Sequence, residues 1–191
     1  MTYQNAKRKI IELGKFLFDH EFIVATDGNI STRLNLKEIL ITRSGVCKGE
    51  LKIGDIVKIN IKQSESVILS KANNLPSTEY RMHLAIYQER KDVSAIIHAH
   101  SPYSTIFAVT GKKLDTNLLT ETTETLGVIK NVGFYKPGSI ELAKAIGEAS
   151  KKHNVMLLAH HGVVVCGKDL TEARYRLERL EFLAKVSLLS S

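Results

Sequence analysis

Ala95-Ile96-Ile97-His98-Ala99-His100-Ser101 is the stretch that decides how the chain is read: an apolar run ending in two histidines one residue apart. Side chains along a strand alternate between its faces, so residues two apart point the same way. If Ile96 to His100 is a strand, both imidazoles leave the sheet together, close enough to grip one ion. An ion with catalytic work typically takes three protein ligands and keeps a position for water or substrate. Met156-Leu157-Leu158-Ala159-His160-His161-Gly162-Val163-Val164-Val165 is a second apolar run, long enough for another buried strand, and it offers the third ligand. Neighbouring strand residues face opposite sides, so one of His160 and His161 is expected to join the pair. Two imidazoles buried beside branched aliphatics need something to satisfy them, which favours a metal over a plain core role. His20, His83 and His153 fall on apparent helices among polar residues and are read as having no functional role.

Upstream of the histidine strand lies Leu75-Pro76-Ser77-Thr78-Glu79-Tyr80-Arg81. Pro76 blocks a helix on its N-terminal side, Ser77 or Thr78 can cap one, and Met82, Ala85 and Ile86 give it an apolar face to about Gln88. A helix start with two hydroxyls and free N–H groups suits an anion. Glu79 either complements the positive helix end or is a carboxylate poised to take a proton. Two earlier loops have similar character. Gly28 and Asn29, in Ala25-Thr26-Asp27-Gly28-Asn29-Ile30-Ser31, tolerate positive φ and can present successive N–H groups. Arg43-Ser44-Gly45 sets a hydroxyl, a glycine and a cation at a strand's end.

The remaining segments alternate between helix and strand patterns. A helix is expected over residues 3 to 20, with Ile10, Leu13, Leu17 and Phe18 on its apolar face, followed by a short strand Phe22-Ile23-Val24. Strands are expected at Glu38 to Thr42, Asp55 to Ile61 and Val132 to Tyr135, and Val67 to Leu69 can pair with the second of these. Residues 103 to 109 can be helical, and 114 to 129 read as helix or loop. Ser139 caps a helix to about Lys152. Asp169-Leu170-Thr171-Glu172 has capping-box spacing before a last helix, with Ala173, Leu177, Leu180 and Ala184 inside and Arg174, Glu178 and Glu181 outside. With no repeat or linker, residues 1–191 are expected to form one α/β domain.

Composition narrows the partners. The 191 residues are 43% hydrophobic and 25% charged, ordinary for a globular protein, and no stretch is apolar enough to span a bilayer. The N-terminus lacks signal-peptide features, so a cytoplasmic location is expected. Cys47 and Cys166 are too few and isolated for a disulfide framework and read as reduced structural thiols. The net charge of +7 favours anionic partners, but the lysines are scattered without a basic block or aromatic stripe. A phosphorylated small molecule fits better than nucleic acid.

Five motifs carry a family resemblance: Gly28-Asn29-Ile30-Ser31, Thr42-Arg43-Ser44-Gly45, Pro76-Ser77-Thr78-Glu79, His98-Ala99-His100 and His160-His161-Gly162. In order and approximate spacing the chain resembles, from about residue 5 to 188, the zinc-dependent class II aldolases of the fuculose-1-phosphate aldolase and ribulose-phosphate 4-epimerase group. The resemblance implies a three-layer α/β/α fold around a central, largely antiparallel sheet, and a homotetramer with sites at subunit junctions. It implies one zinc, or another divalent ion, per subunit, on His98, His100 and His161, choosing His161 over His160. It gives Glu79 the acid/base role with occasional metal contact, and Gly28, Asn29, Ser44, Gly45, Ser77 and Thr78 the substrate phosphate.

The implied reaction is cleavage of L-fuculose 1-phosphate, or a related deoxyketose 1-phosphate, to dihydroxyacetone phosphate and an aldehyde such as lactaldehyde. Zinc would act as Lewis acid and Glu79 as proton shuttle. Alternatives are a pentulose-5-phosphate 4-epimerase, a methylthioribulose-1-phosphate dehydratase, or a non-catalytic zinc-containing scaffold. Two departures stand out. The tyrosine that family aldolases bring from a neighbouring subunit has no counterpart between Tyr103 and Tyr135, its place falling near Leu119, and Arg43 stands where proline is common.

Overall fold

The computed structural model describes residues 2–62 and 75–190. Thr2 opens the first helix, α1 (Tyr3–Asp19), its hydroxyl accepting from the Asn5 N–H, and the helix buries Ala6, Ile10, Leu13 and Leu17. The strand expected at Phe22–Val24 does not form. Glu21 (φ 59°) and Ala25 (φ 48°) flank it in left-handed conformations, which an extended strand cannot contain. The segment is a bend instead, and the Phe22 carbonyl accepts the backbone N–H of His100 at 3.1 Å.

Three antiparallel strands follow: β1 (Asn29–Arg33), β2 (Glu38–Thr42) and β3 (Ile56–Asn60). β1 starts inside the loop expected around Gly28 and Asn29. The pairing considered for Val67 to Leu69 lies outside the described residues. Then come α2 (Tyr80–Glu89), β4 (Ala95–Ala99), α3 (Pro102–Thr110) and the short α4 (Thr120–Leu126). β5 (Lys130–Val132), α5 (Ile140–Ser150), β6 (Val155–Leu158), β7 (Gly162–Gly167) and α6 (Leu170–Leu189) complete the order. The strand expected at Val132 to Tyr135 thus lies slightly earlier in the chain.

The seven strands form one sheet in the order β3-β2-β1-β4-β7-β6-β5, antiparallel except for the β5–β6 pair. Alternation sorts its side chains between two cores. Ile30, Leu40, Ile97, Val163 and Val165 pack under α1, α3 and α6. Ile39, Ile41, Ile96, Val164 and Cys166 pack under α2 and α5. The result is the expected three-layer arrangement. Among the described residues no helix is long and apolar enough to cross a membrane. Both cysteines are free, and burial pushes the Cys166 thiol up to about 12.

Three local expectations are corrected. The run from Met156 to Val165 is a hairpin, because a turn at Ala159-His160-His161 splits it into β6 and β7, with His160 at φ 57°. α2 begins at Tyr80, so Glu79 stands at the capping position but makes no side-chain cap; of the two expected caps, Ser77 does accept the Glu79 N–H through its hydroxyl, at 3.4 Å. Glu181 points inward: its carboxylate accepts the N–H groups of Tyr103 (2.7 Å) and Ser104 (2.9 Å), closing the start of α3. A carboxylate at a helix N-terminus satisfies otherwise orphaned donors, which offsets its burial.

Candidate metal centre

Period-two alternation along β4 turns Ile96 and His98 toward the layer of α2 and α5. His100 lies just beyond the strand, held by its N–H to Phe22, and its Nε2 is 3.1 Å from that of His98. His161 comes from the β6–β7 turn, where its N–H donates to the Leu158 carbonyl at 3.0 Å. Gly162 makes that approach possible: a Cβ there would stand 2.5 Å from the Ala99 carbonyl oxygen and 2.6 Å from the His100 ring. One ligand atom from each of His98, His100 and His161 falls within 4.8 Å of the others. His160 does not join them and meets the Phe134 ring edge-on.

Glu79 reaches the same point from the start of α2. Its Oε2 is 3.1 Å from His98 Nε2 and its Oε1 is 3.6 Å from His161 Nε2. Burial alone would raise the Glu79 pKa, but the neighbouring imidazoles of His98 and His161 and the hydrogen bonds from His98 and Asn29 outweigh it. The carboxyl is held well below the usual range and is ionised at neutral pH. Burial pushes the His161 imidazole down to about 4, so it is neutral, the form a metal ligand requires.

These residues fit a divalent ion. Tetrahedral ligands about 2.0–2.1 Å from zinc stand roughly 3.3 Å apart, close to the separation of the two Nε2 atoms. His98 donates its Nδ1 proton to the Val163 carbonyl at 2.9 Å, which aims Nε2 into the cluster, where an ion would take the place of the proton it shares with Glu79. Glu79 Oε1 and His161 Nδ1 are buried without a hydrogen-bond partner among the described residues, the condition an ion nearby relieves.

Beside the cluster opens a cavity of about 330 Å³. Gly28, Asn29, Ser44, Gly45, Ser77, Thr78, Glu79, His100 and His161 all line it, so three separate loops converge as the sequence suggested; His98 lies buried behind. Gly28 (φ 67°) is required there, since a Cβ would meet Ile23 at 2.6 Å and the His98 carbonyl at 2.8 Å. Arg43 is on the wall and reaches Asp55 at 3.5 Å. Leu119 packs against the core under α1, α3 and α6, and the lining includes no tyrosine.

Two residues escaped the sequence reading. Lys48 is buried on the cavity wall, its Nζ donating to the Thr26 (2.6 Å) and Val46 (2.8 Å) carbonyls, and burial lowers it to about 8. Its one sequence signal is its place three residues beyond Gly45. His83 is buried and hydrogen-bonded to Asn29, not solvated on a helix face.

The fold and site together define a three-layer α/β protein with a cluster of three imidazoles and a carboxylate able to hold a metal ion, opening on a cavity edged by hydroxyls and cations. The chain belongs to the class II aldolase and adducin N-terminal domain family, which residues 8–188 match. It is 37% identical over 185 residues to an L-fuculose phosphate aldolase of Methanocaldococcus jannaschii, covering 96% of both chains. It is 30% identical over 190 residues to a 3-oxo-tetronate 4-phosphate decarboxylase of Haemophilus influenzae, covering 97% of this chain and 88% of that one. The crystal structure of L-fuculose-1-phosphate aldolase from Thermus thermophilus superposes with a TM-score of 0.85 at 25% identity, over 99% of this chain and 96% of that one. Within the family the chain is a class II aldolase, an enzyme of the carbon–carbon lyase type.

Proposed function

We propose that the protein is a zinc-dependent aldolase that reversibly cleaves L-fuculose 1-phosphate, or a related deoxyketose 1-phosphate, to dihydroxyacetone phosphate and an aldehyde such as lactaldehyde. The observation that supports this is the meeting of His98, His100, His161 and Glu79 beside a cavity also lined by the hydroxyl residues Ser44, Ser77 and Thr78, by Arg43 and Lys48, and by Asp27. A zinc ion on the three imidazoles would supply Lewis acidity toward the substrate carbonyl. Ser44, Gly45, Ser77, Thr78 and the Gly28-Asn29 turn hold the phosphate, with Lys48 adding charge, and so fix the reacting carbons against Glu79. In the condensation direction Glu79 takes the proton from the carbon beside the carbonyl of dihydroxyacetone phosphate, and in cleavage it returns that proton. Its burial keeps bulk water from competing for the same step.

A second reading is decarboxylation of a phosphorylated oxo acid, which breaks the same kind of bond beside a carbonyl with carbon dioxide leaving. Arg43 and Lys48 on one wall favour it, because two cations suit a substrate carrying both phosphate and carboxylate. Zinc-loaded protein offered ketose 1-phosphates and 3-oxo acid phosphates separates the readings: dihydroxyacetone phosphate supports the first and carbon dioxide the second. An inverted centre or a diketone in the product NMR spectrum would instead mark the epimerase or the dehydratase. Turnover of none, unaltered by Glu79→Ala, sinks both lyase readings and leaves the scaffold. A cytoplasmic homotetramer of single-domain subunits completes the proposal; exposed Phe134 beside His160 is surface that such an assembly would cover.

A further inference from the structure

Behind the cluster a line of hydrogen bonds runs from Glu79 into the core. Asn29 Nδ2 donates to Glu79 Oε2 at 3.1 Å, and Asn29 Oδ1 lies 2.5 Å from His83 Nε2. On the other side of the ring, His83 Nδ1 lies 2.7 Å from Ser31 Oγ, which is 2.8 Å from the Tyr87 hydroxyl. All five residues are buried, and His83 has no exposed surface and no place on the cavity wall. The sequence explains the alignment. Glu79, His83 and Tyr87 are spaced four apart at and along α2, so they share one helix face. Asn29 and Ser31 are two apart on β1 and face that helix together.

The line has one possible polarity. An ionised carboxylate only accepts, so Asn29 must turn its amide nitrogen toward Glu79 and its oxygen toward His83. His83 Nε2 then carries the proton. Burial pushes this imidazole down to about 3, so the ring is neutral and its bare Nδ1 accepts from Ser31, which accepts from Tyr87.

We propose that His83 is a positioning residue: by donating from Nε2 it locks the Asn29 amide, and through it the Glu79 carboxylate, in the orientation that proton transfer requires. This rests on the reading of Glu79 as the proton carrier. A histidine that only filled the core would leave the amide orientation to chance and would be replaceable by any side chain of its volume.

The test uses full-length, zinc-loaded protein. Two-bond proton–nitrogen correlation spectra should show His83 as the neutral Nε2–H tautomer throughout about pH 5.5 to 8. An Nδ1–H tautomer or an imidazolium overturns the lock. His83→Leu should lower kcat about a hundredfold, the scale of a small misplacement of a reacting group, with KM changed less than about threefold and zinc content unaltered. His83→Gln keeps a donor toward Asn29 and should retain at least about half of the wild-type kcat. Equal losses in the two variants, or a loss confined to KM, overturn the proposal. Where the leucine variant does not fold, the tautomer and the glutamine variant decide, a hundredfold loss in the latter being the overturning result. Absence of turnover by the wild type would instead refute the proton-carrier reading, which the spectra distinguish from failure of the lock.

Discussion

The Nε2 atoms of His98 and His100 face each other at 3.1 Å. Stripped of protons, as ligand nitrogens must be, their two lone pairs repel at that distance, and a shared cation reconciles them. Removing the ion should therefore destabilise the fold as well as silence it. A ligand bound only by the native state, present at a hundredfold its Kd, adds about 2.7 kcal/mol. Chelation should lower the unfolding free energy by about that amount in a urea titration, and added zinc should restore it. His98→Ala and His161→Ala should each reduce zinc content, read by elemental analysis, to near background.

Glu79→Gln keeps the shape of the side chain and its contact with Asn29 while removing its capacity to take a proton. The expected loss in kcat is about 10²–10⁴-fold, the usual contribution of one acid–base group, with zinc still bound. Loss of both zinc and activity would mean instead that the carboxylate serves the ion alone.

Lys48 should impose a pH dependence on anion binding. Burial lowers its pKa to about 8, so the ammonium is charged below that value and loses its proton above it. Sulfate has no proton to lose in this range. Its Kd should be flat below about pH 8 and weaken roughly tenfold per unit above it, by titration calorimetry. Lys48→Met should bind more weakly and show no break. Stability moves the other way. The unfolded lysine titrates near 10.4, so between about 8 and 10.4 the unfolded chain binds more protons and this group's contribution to stability rises with pH.

Gly162→Ala places a methyl where the Ala99 carbonyl and the His100 ring already stand. Overpacking of this kind typically costs about 1–3 kcal/mol. The urea midpoint should fall accordingly, and zinc affinity should fall with it because His100 is the group displaced.

What the sequence made legible was whatever obeys a local period. The His98 and His100 pair, the face of α6 and the strands β2 and β3 follow from alternation or helical spacing alone. Where His161 lies was not legible in that way. The run around it holds no Gly, Pro, Asn or Asp before Gly162 to announce a turn, and His160 takes a left-handed conformation uncommon for a residue other than glycine. Its choice over His160 came from family resemblance, and the turn supplies the physical reason. His83 and Glu181 are misread, and Lys48 goes unread, for one shared cause: each side chain has partners on a segment distant in sequence, Asn29 and Ser31 for His83, Thr26 for Lys48, and Tyr103 and Ser104 for Glu181.

The central position of β4 also bears on how the molecule assembles. Asn29 pairs with His98 on one side of that strand and Val164 on the other, so the N-terminal meander and the C-terminal hairpin must both dock before the ligands meet. Both dockings join segments far apart in the chain, and such contacts form late and slowly. The ion is then a latch closed after the sheet is built, not a seed for building it. Excess zinc should leave the refolding arm of the chevron where it is and slow the unfolding arm alone.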